Sequence, residues 1–181
     1  MADEFIFRRE TGDAQKVRAE ALGEPGNRRF RLLASLQGET FIVWMEKQQL
    51  QALGLALEQM LEQLPSAGPE LETADVPLEF DTETRRQFRA GRMELGYDEA
   101  GDRILISAHD VQEDDEEAQQ PSALDLGISR GQARQLSAEA AVLVAAGRPR
   151  CPMCGQPMNP GIHVCPQQNG HLPLQEEGSA E

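Results

Sequence analysis

The sequence predicts an α+β fold: an antiparallel sheet of about six or seven strands packed with two helices, followed by a small C-terminal zinc knuckle. Three observations lead there. Short stretches alternate apolar and polar residues between turns rich in Gly, Pro and Asp. One leucine stripe recurs at spacings of three and four between residues 46 and 64. All three cysteines lie within the last 31 residues, close to two of the three histidines.

The elements follow in order. Phe5-Ile-Phe7 is a short strand candidate, and the segment from Gln15 to Leu22 alternates loosely before Gly23-Glu-Pro-Gly26 turns the chain. Phe30, Leu32 and Ala34 then share one face of a strand. After a turn at Gln37-Gly38, Phe41, Val43 and Met45 point inward from the next strand. Ile42 and Trp44 take its second face, which therefore needs a cover. Leu50, Leu53, Leu57, Met60 or Leu61, and Leu64 mark a helix from about Glu46 to Leu64 that packs on the sheet, and Pro65 and Pro69 end it. The acidic stretch from Glu70 to Thr84 reads as a connection.

Gln87 to Asp98 predicts a long strand. Its inward parity slips from Phe88 and Ala90 to Met93, Leu95 and Tyr97, so a β-bulge is expected at Gly91. Asp98 to Asp102 is a hairpin loop, and Arg103 to His109 is the return strand, with His109 read as an ordinary polar residue at its end. Five consecutive acids begin at Glu113, and the stretch at about 112–122 reads as a flexible acidic loop. Leu124, Leu126 and Ile128 give a further strand. The second helix has two start signals, Ser129 and Ser137. It reaches Ala146, with Gly147 as C-cap candidate and Pro149 as a stop. The organisation is thus an α+β domain over 1–147, a zinc-knuckle segment over 148–173 and an acidic tail over 174–181.

Composition narrows the function. The chain has 181 residues, is 39% hydrophobic, and carries a formal charge of −14. It has two lysines, Lys16 and Lys47, and its arginines fall in small groups: Arg28, Arg29 and Arg31, then Arg85, Arg86, Arg89 and Arg92. Each group reads as the solvent side of an element, so nucleic acid is not the expected partner. The sequence offers no apolar run of the ~20 residues a membrane span needs and no signal-peptide pattern. The expected compartment is the cytoplasm, and the expected partner is a protein.

The chemistry concentrates in Cys151-Pro-Met-Cys154-Gly155 and His163-Val-Cys165-Pro166. Two cysteines separated by two residues form a knuckle whose sulfurs can grip one ion, and whose inner amides can hydrogen-bond the first thiolate. Gly155 permits the positive φ that turns the chain. Cys151, Cys154, His163 and Cys165 are the predicted ligands of a structural Zn2+, with His171 as the rival fourth ligand. In an extended strand His163 and Cys165 would stand ~6.5–7 Å apart, so the chain must curl there. Iron in the same shell and a redox Cys-x-x-Cys pair are the competing readings. No acid lies between Cys151 and Leu174, which disfavours a catalytic zinc. The sequence contains no phosphate loop of the Gly-x-x-x-x-Gly-Lys type, no Gly-x-Ser-x-Gly elbow and no His-Glu-x-x-His.

Several blocks occur together in order: Gly23-Glu-Pro-Gly26 with Arg29-Phe30, Glu46-Lys47-x-Gln49, Phe88-Arg-x-Gly91-x-Met93-x-Leu95-Gly96, and Ala146-Gly-Arg-Pro149-x-Cys-Pro-x-Cys-Gly155 through Asn169-Gly170. They resemble the bacterial family named domain of unknown function 3090, across nearly the whole chain. The resemblance implies His163 rather than His171 as fourth ligand, although Gly161-Ile-His163 carries one residue more than the family's Gly-His pattern. It implies no activity. The expected function is a zinc-stabilised cytoplasmic binding or adaptor protein without catalysis of its own. The alternative is an enzyme or regulator acting on a phosphorylated small molecule or protein, through an Arg-lined pocket around Arg89 and Arg92 with Glu46 and Lys47.

Overall fold

The computed structural model describes residues 9–66, 79–111, 122–147, 150–158 and 163–169. Its strands are β1 (Arg9–Asp13), β2 (Lys16–Leu22), β3 (Arg29–Leu36), β4 (Glu39–Met45), β5 (Gln87–Asp98), β6 (Arg103–Asp110) and β7 (Ala123–Ile128). The helices are α1 (Lys47–Gln63), α2 (Arg130–Ala145) and the single turn α3 (Pro166–Asn169). The strands form one seven-stranded sheet in the order β1-β7-β6-β5-β4-β3-β2. The α+β class and the two long helices are as expected. A purely antiparallel sheet is not, because β1 runs parallel to β7 and β4 runs parallel to β5. Placing α1 between β4 and β5 is the physical reason for the second case: a helical crossover returns the chain to the same end of the sheet, and the next strand runs parallel. The first case involves β1, whose sequence Arg9-Glu-Thr-Gly-Asp13 lacks an apolar face and gives no strand signal. The expected strand at Phe5–Phe7 lies outside the described residues, as do nearly all of the acidic loop at 112–122 and the whole tail at 174–181.

β1 and β2 stand at opposite ends of the strand order, yet only Ala14 and Gln15 separate them. Three Cα steps cover at most about 11 Å. A flat seven-stranded sheet would hold its outer strands ~29 Å apart, six spacings of ~4.8 Å. The sheet must therefore roll up until its two ends meet. At the corner the Ala14 N–H donates to Gly127 O at 2.8 Å and the Gln15 N–H donates to Ser35 O at 2.8 Å, so one continuous segment passes from β7 to β3. A second corner lies in β5. Its residues 87–89 pair with β4 and its residues from Ala90 onward pair with β6, with the register shift between Ala90 and Arg92. This is the bulge that the parity slip at Gly91 predicts.

The rolled sheet turns its alternating apolar residues onto one core. Leu32, Phe41, Val43, Ile104, Ile106, Leu124, Leu126 and Ile128 share a cluster with Leu50, Leu53 and Leu57 of α1 and Ala133, Leu136 and Ala140 of α2. Leu33 and Ile42 are also fully buried, but on the other face and outside that cluster. The expectation that the second face of β4 is covered thus holds for Ile42, while Trp44 is half-buried. Arg31 departs from the expected solvent placement. It is 8% exposed and forks onto Glu20 Oε2 through Nε at 3.0 Å and Nη2 at 2.8 Å, so its charge is matched where it leaves water.

Both helices start as predicted. α1 is capped by Glu46, whose N–H donates to Gln49 Oε1 at 2.8 Å. α2 uses Ser129 rather than Ser137: Ser129 Oγ accepts from the Gln132 N–H at 3.1 Å while Gln132 Oε1 accepts from the Ser129 N–H at 2.9 Å. The C-terminus of α2 corrects the glycine expectation, since the cap is Ala146 with φ −71° and Gly147 is not among the left-handed glycines. Ser137 instead sits at the helix crossing, where its hydroxyl donates to Gly54 O at 2.9 Å. A Cβ on Gly54 would stand 2.9 Å from the Cβ of Ala140, so the crossing requires the bare glycine. Arg130, 9% exposed, ties three elements together. It donates to Pro65 O beyond α1 at 2.6 Å, to Asp102 Oδ1 at 2.8 Å and to the Tyr97 hydroxyl at 3.1 Å.

Two predictions follow from this packing. Gly54→Val overpacks the α1–α2 crossing and should cost ~1–3 kcal/mol in urea unfolding; an unchanged midpoint would show that the helices do not approach this closely. The Tyr97 hydroxyl and then Arg130 hold the Asp102 carboxyl below its ordinary range. A depressed folded value gives stability that is present above the unfolded value near ~4 and lost as pH falls through the folded one. The stability gap between wild type and Asp102→Asn should therefore be constant near neutrality and close in acid, and a gap independent of pH would contradict it.

Candidate metal centre and arginine cavity

After α2 the chain makes a knuckle. Arg150 bridges to Pro157, the Cys151 N–H donates to Gln156 O at 2.8 Å, and the Gly155 N–H donates back to Cys151 O at 2.8 Å. Closing that loop takes a φ of +71° at Gly155. Among the described residues no atom outside its neighbours lies within 4 Å of where a Cβ would sit, so the glycine answers to backbone conformation and not to space. The fold of the loop aims the amides of residues 153 and 154 at the first sulfur. Hydrogen bonds from the Cys154 and then the Met153 backbone lower the Cys151 thiol from 9.0 to about 6. Cys154 moves the other way: the Gln156 amide pulls it down, but burial and the neighbouring Cys151 and Cys165 sulfurs together raise it.

His163 and Cys165 come to the same point. Cys151 Sγ lies 3.8 Å from Cys165 Sγ, and Cys154 Sγ lies 3.3 Å from His163 Nε2. The four donor atoms all lie within 4.8 Å of one another, close enough to hold one metal ion. No pair of the three cysteines is bridged; Cys151 and Cys165 are buried, and Cys154 is half-buried. The curl expected between His163 and Cys165 is present, since an extended strand could not bring both donors to one point. Pro166 opens the single turn α3 directly after Cys165. His171 and the Asn159-Pro-Gly161 turn lie outside the described residues.

The arginine pocket foreseen around Arg89 and Arg92 is only partly formed. Arg89 and Glu46 line a cavity of ≈ 390 Å³ and pair with each other at 3.0 Å. Arg92 is not part of it and pairs with Glu94 at 3.2 Å; Arg89 lies in the part of β5 paired with β4, and Arg92 in the part paired with β6. Lys47 is not in the lining either; its ammonium approaches the Gly147 backbone. The other charged walls are Arg28 and Arg29, with Trp44 between the strands. The sequence reading missed these three as cavity residues. Arg29 stacks over the Trp44 ring at 4.1 Å, and Trp44 stands in register with Arg31 on β3 and Arg89 on β5. Only the strand pairing reveals that neighbourhood, and the parallel β4–β5 pair was not foreseen.

A family model described as "Protein of unknown function (DUF3090)" matches residues 10–165, in agreement with the resemblance carried by the sequence blocks. No curated protein and no solved structure matches.

Titration of metal-free protein by thiolate ultraviolet absorbance should show one thiol ionising at about 6. That transition should vanish in Cys151→Ser and persist in Cys154→Ser; three thiols ionising together in the ordinary range would contradict the amide hydrogen bonds.

Proposed function

Because the chain belongs to the DUF3090 family of proteins of unknown function, we propose a role from the geometry of its own residues: a cytoplasmic binding or adaptor protein, without catalysis of its own, whose C-terminal segment is fixed by a structural zinc ion. One observation carries this reading, the closed set of three sulfurs and one imidazole nitrogen at Cys151, Cys154, Cys165 and His163. With Zn–S of ~2.3 Å and Zn–N of ~2.0–2.1 Å, a tetrahedral ion spaces two sulfurs by about 3.8 Å and a sulfur and a nitrogen by about 3.5 Å. The corresponding separations are 3.8 Å and 3.3 Å. Four protein donors leave no open position for a substrate or an activated water, which favours a structural role over a catalytic one. The lowered Cys151 thiol supports a thiolate ready to bind a cation.

A segment of this length cannot build its own apolar core, so the ion supplies the cross-link that burial cannot. It also sets two apolar side chains in water: Met153 is 53% exposed and Val164 is 70% exposed. These belong to the two halves of the knuckle, and they support a protein-facing surface. No helix among the described residues is long and apolar enough to cross a membrane.

Elemental analysis of protein purified without chelator should find one zinc per chain. Cys165→Ser and His163→Ala should each lose it, with a drop in thermal stability. Protein free of metal with three freely reactive thiols would overturn the zinc reading and leave the Cys-x-x-Cys pair as redox chemistry. One iron per chain would overturn the identity of the ion alone.

A further inference from the structure

The cavity beside Trp44 has no part in the zinc reading and stands independently of it. Three guanidinium groups, those of Arg28, Arg29 and Arg89, face one carboxylate, that of Glu46. That local excess of positive charge sits on a chain of net charge −14, where acids outnumber bases 31 to 17. Elsewhere on the surface Arg9, Arg86, Arg92 and Arg103 each have a carboxylate at hand. Arg28 and Arg29 have none among the described residues. Arg28 spends one N–H on Ala146 O at 2.6 Å, and Arg29 lies over the Trp44 ring. A guanidinium carries five N–H donors, so both retain donors for an incoming group. Arg89 is shared with Glu46, and both side chains are about two-thirds exposed, at 67% and 69%; such a pair in water is worth little and is readily exchanged for a better acceptor.

The arginines are also held in place. Arg28 is fixed by the end of α2 and Arg29 by stacking on an indole whose Nε1–H donates to Gln87 Oε1 at 2.8 Å, while strand register sets the Arg89 backbone beside Trp44. Preorganised guanidinium groups are suited to the several oxygens of a phosphate, which accepts parallel charge-assisted hydrogen bonds. The volume of ≈ 390 Å³ lies in the range of small-ligand sites, ~300–1,000 Å³, and exceeds what a bare phosphate fills.

We propose that this cavity binds a phosphorylated small molecule, its phosphate received by Arg28, Arg29 and Arg89 and its organic part lying along Trp44. Trp44 is the single tryptophan of the chain, so its fluorescence reports this site and no other. The experiment titrates the full-length protein with glucose 6-phosphate, inorganic phosphate and glucose at constant ionic strength. The expected result is a saturable change with glucose 6-phosphate, a weaker one with inorganic phosphate and none with glucose. Arg29→Gln and Arg89→Gln should each raise the midpoint at least ~10-fold, since each removes a charge-assisted hydrogen bond. Arg92→Gln, outside the cavity, should leave it unchanged. All three side chains are exposed, and circular dichroism verifies that the variants fold. The proposal is overturned by any of three results: no saturable change with either phosphate probe, the same change produced by potassium chloride, or equal midpoints in wild type and both cavity variants. A response to a phosphoserine peptide with none to glucose 6-phosphate would also overturn it, in favour of a protein ligand.

Discussion

Two residues, Ala14 and Gln15, constrain the whole molecule. They join strands at opposite ends of a seven-stranded sheet, and a chain that short cannot bridge a flat one. Rolling the sheet puts its main apolar rows on the inside and lets both helices feed one cluster. It also leaves a seam at β2, where an end strand offers backbone donors with no strand to receive them. α2 fills that seam. The Ala19 N–H donates to Glu139 Oε2 at 2.9 Å, and Gln132 Nε2 donates to Ala14 O at 3.0 Å, so one helix satisfies both the edge and the corner. The close α1–α2 crossing at Gly54 and Ala140 then sets where the second helix lies against the first.

Charge is arranged around the same frame. Where a guanidinium leaves water it makes several hydrogen bonds at once, Arg31 through two N–H groups to Glu20 Oε2 and Arg130 to oxygens of Pro65, Asp102 and Tyr97. Such pairing offsets the cost of desolvating the ion, and losing one partner would leave the other stranded. No buried polar side-chain atom among the described residues is left without a hydrogen bond. The exposed arginines of the cavity obey a different rule. Stacking and backbone contacts hold Arg29 and Arg28 there, so their charge stays available.

Local signals in the sequence proved sufficient for local structure. The leucine spacing set α1 nearly to the residue, Ser129 was one of two start signals for α2 and is the one used, and the parity slip at Gly91 marked the bulge, because each rests on neighbours within a few positions. The approach of Cys151, Cys154, His163 and Cys165 was legible for the same reason: the tight knuckle and the short span to His163 leave few ways to place the four donors. What was not legible depends on pairing between distant segments. β1 has no apolar face, and its identity as a strand comes from β7, more than 100 residues away. The cavity requires Arg28 from the β2–β3 turn, Arg29 from the start of β3, Trp44 from β4 and Arg89 from β5, a set no spacing announces. Arg31 looked like its solvent-facing neighbours until Glu20 was placed across the strand pair.

The end of α2 borders the cavity. A helix C-terminus presents carbonyls without partners and a partial negative charge, and a nearby cation relieves both. α2 carries no basic residue in its last turn and ends in Ala146 without a left-handed glycine. The missing cation comes from outside the helix: Arg28, on the turn between β2 and β3, donates to Ala146 O. Lys47, at the start of α1, brings its ammonium near Gly147. The segment that leaves this point reaches Cys151 within five residues. The same arginine that lines the cavity therefore holds the carbonyl of the α2 C-cap. That carbonyl takes one of the five guanidinium N–H donors and limits how far Arg28 can swing. Arg28 thus has a structural contact at the end of α2 as well as a place in the cavity wall, which makes Arg29 and Arg89 the cleaner reporters of the cavity itself.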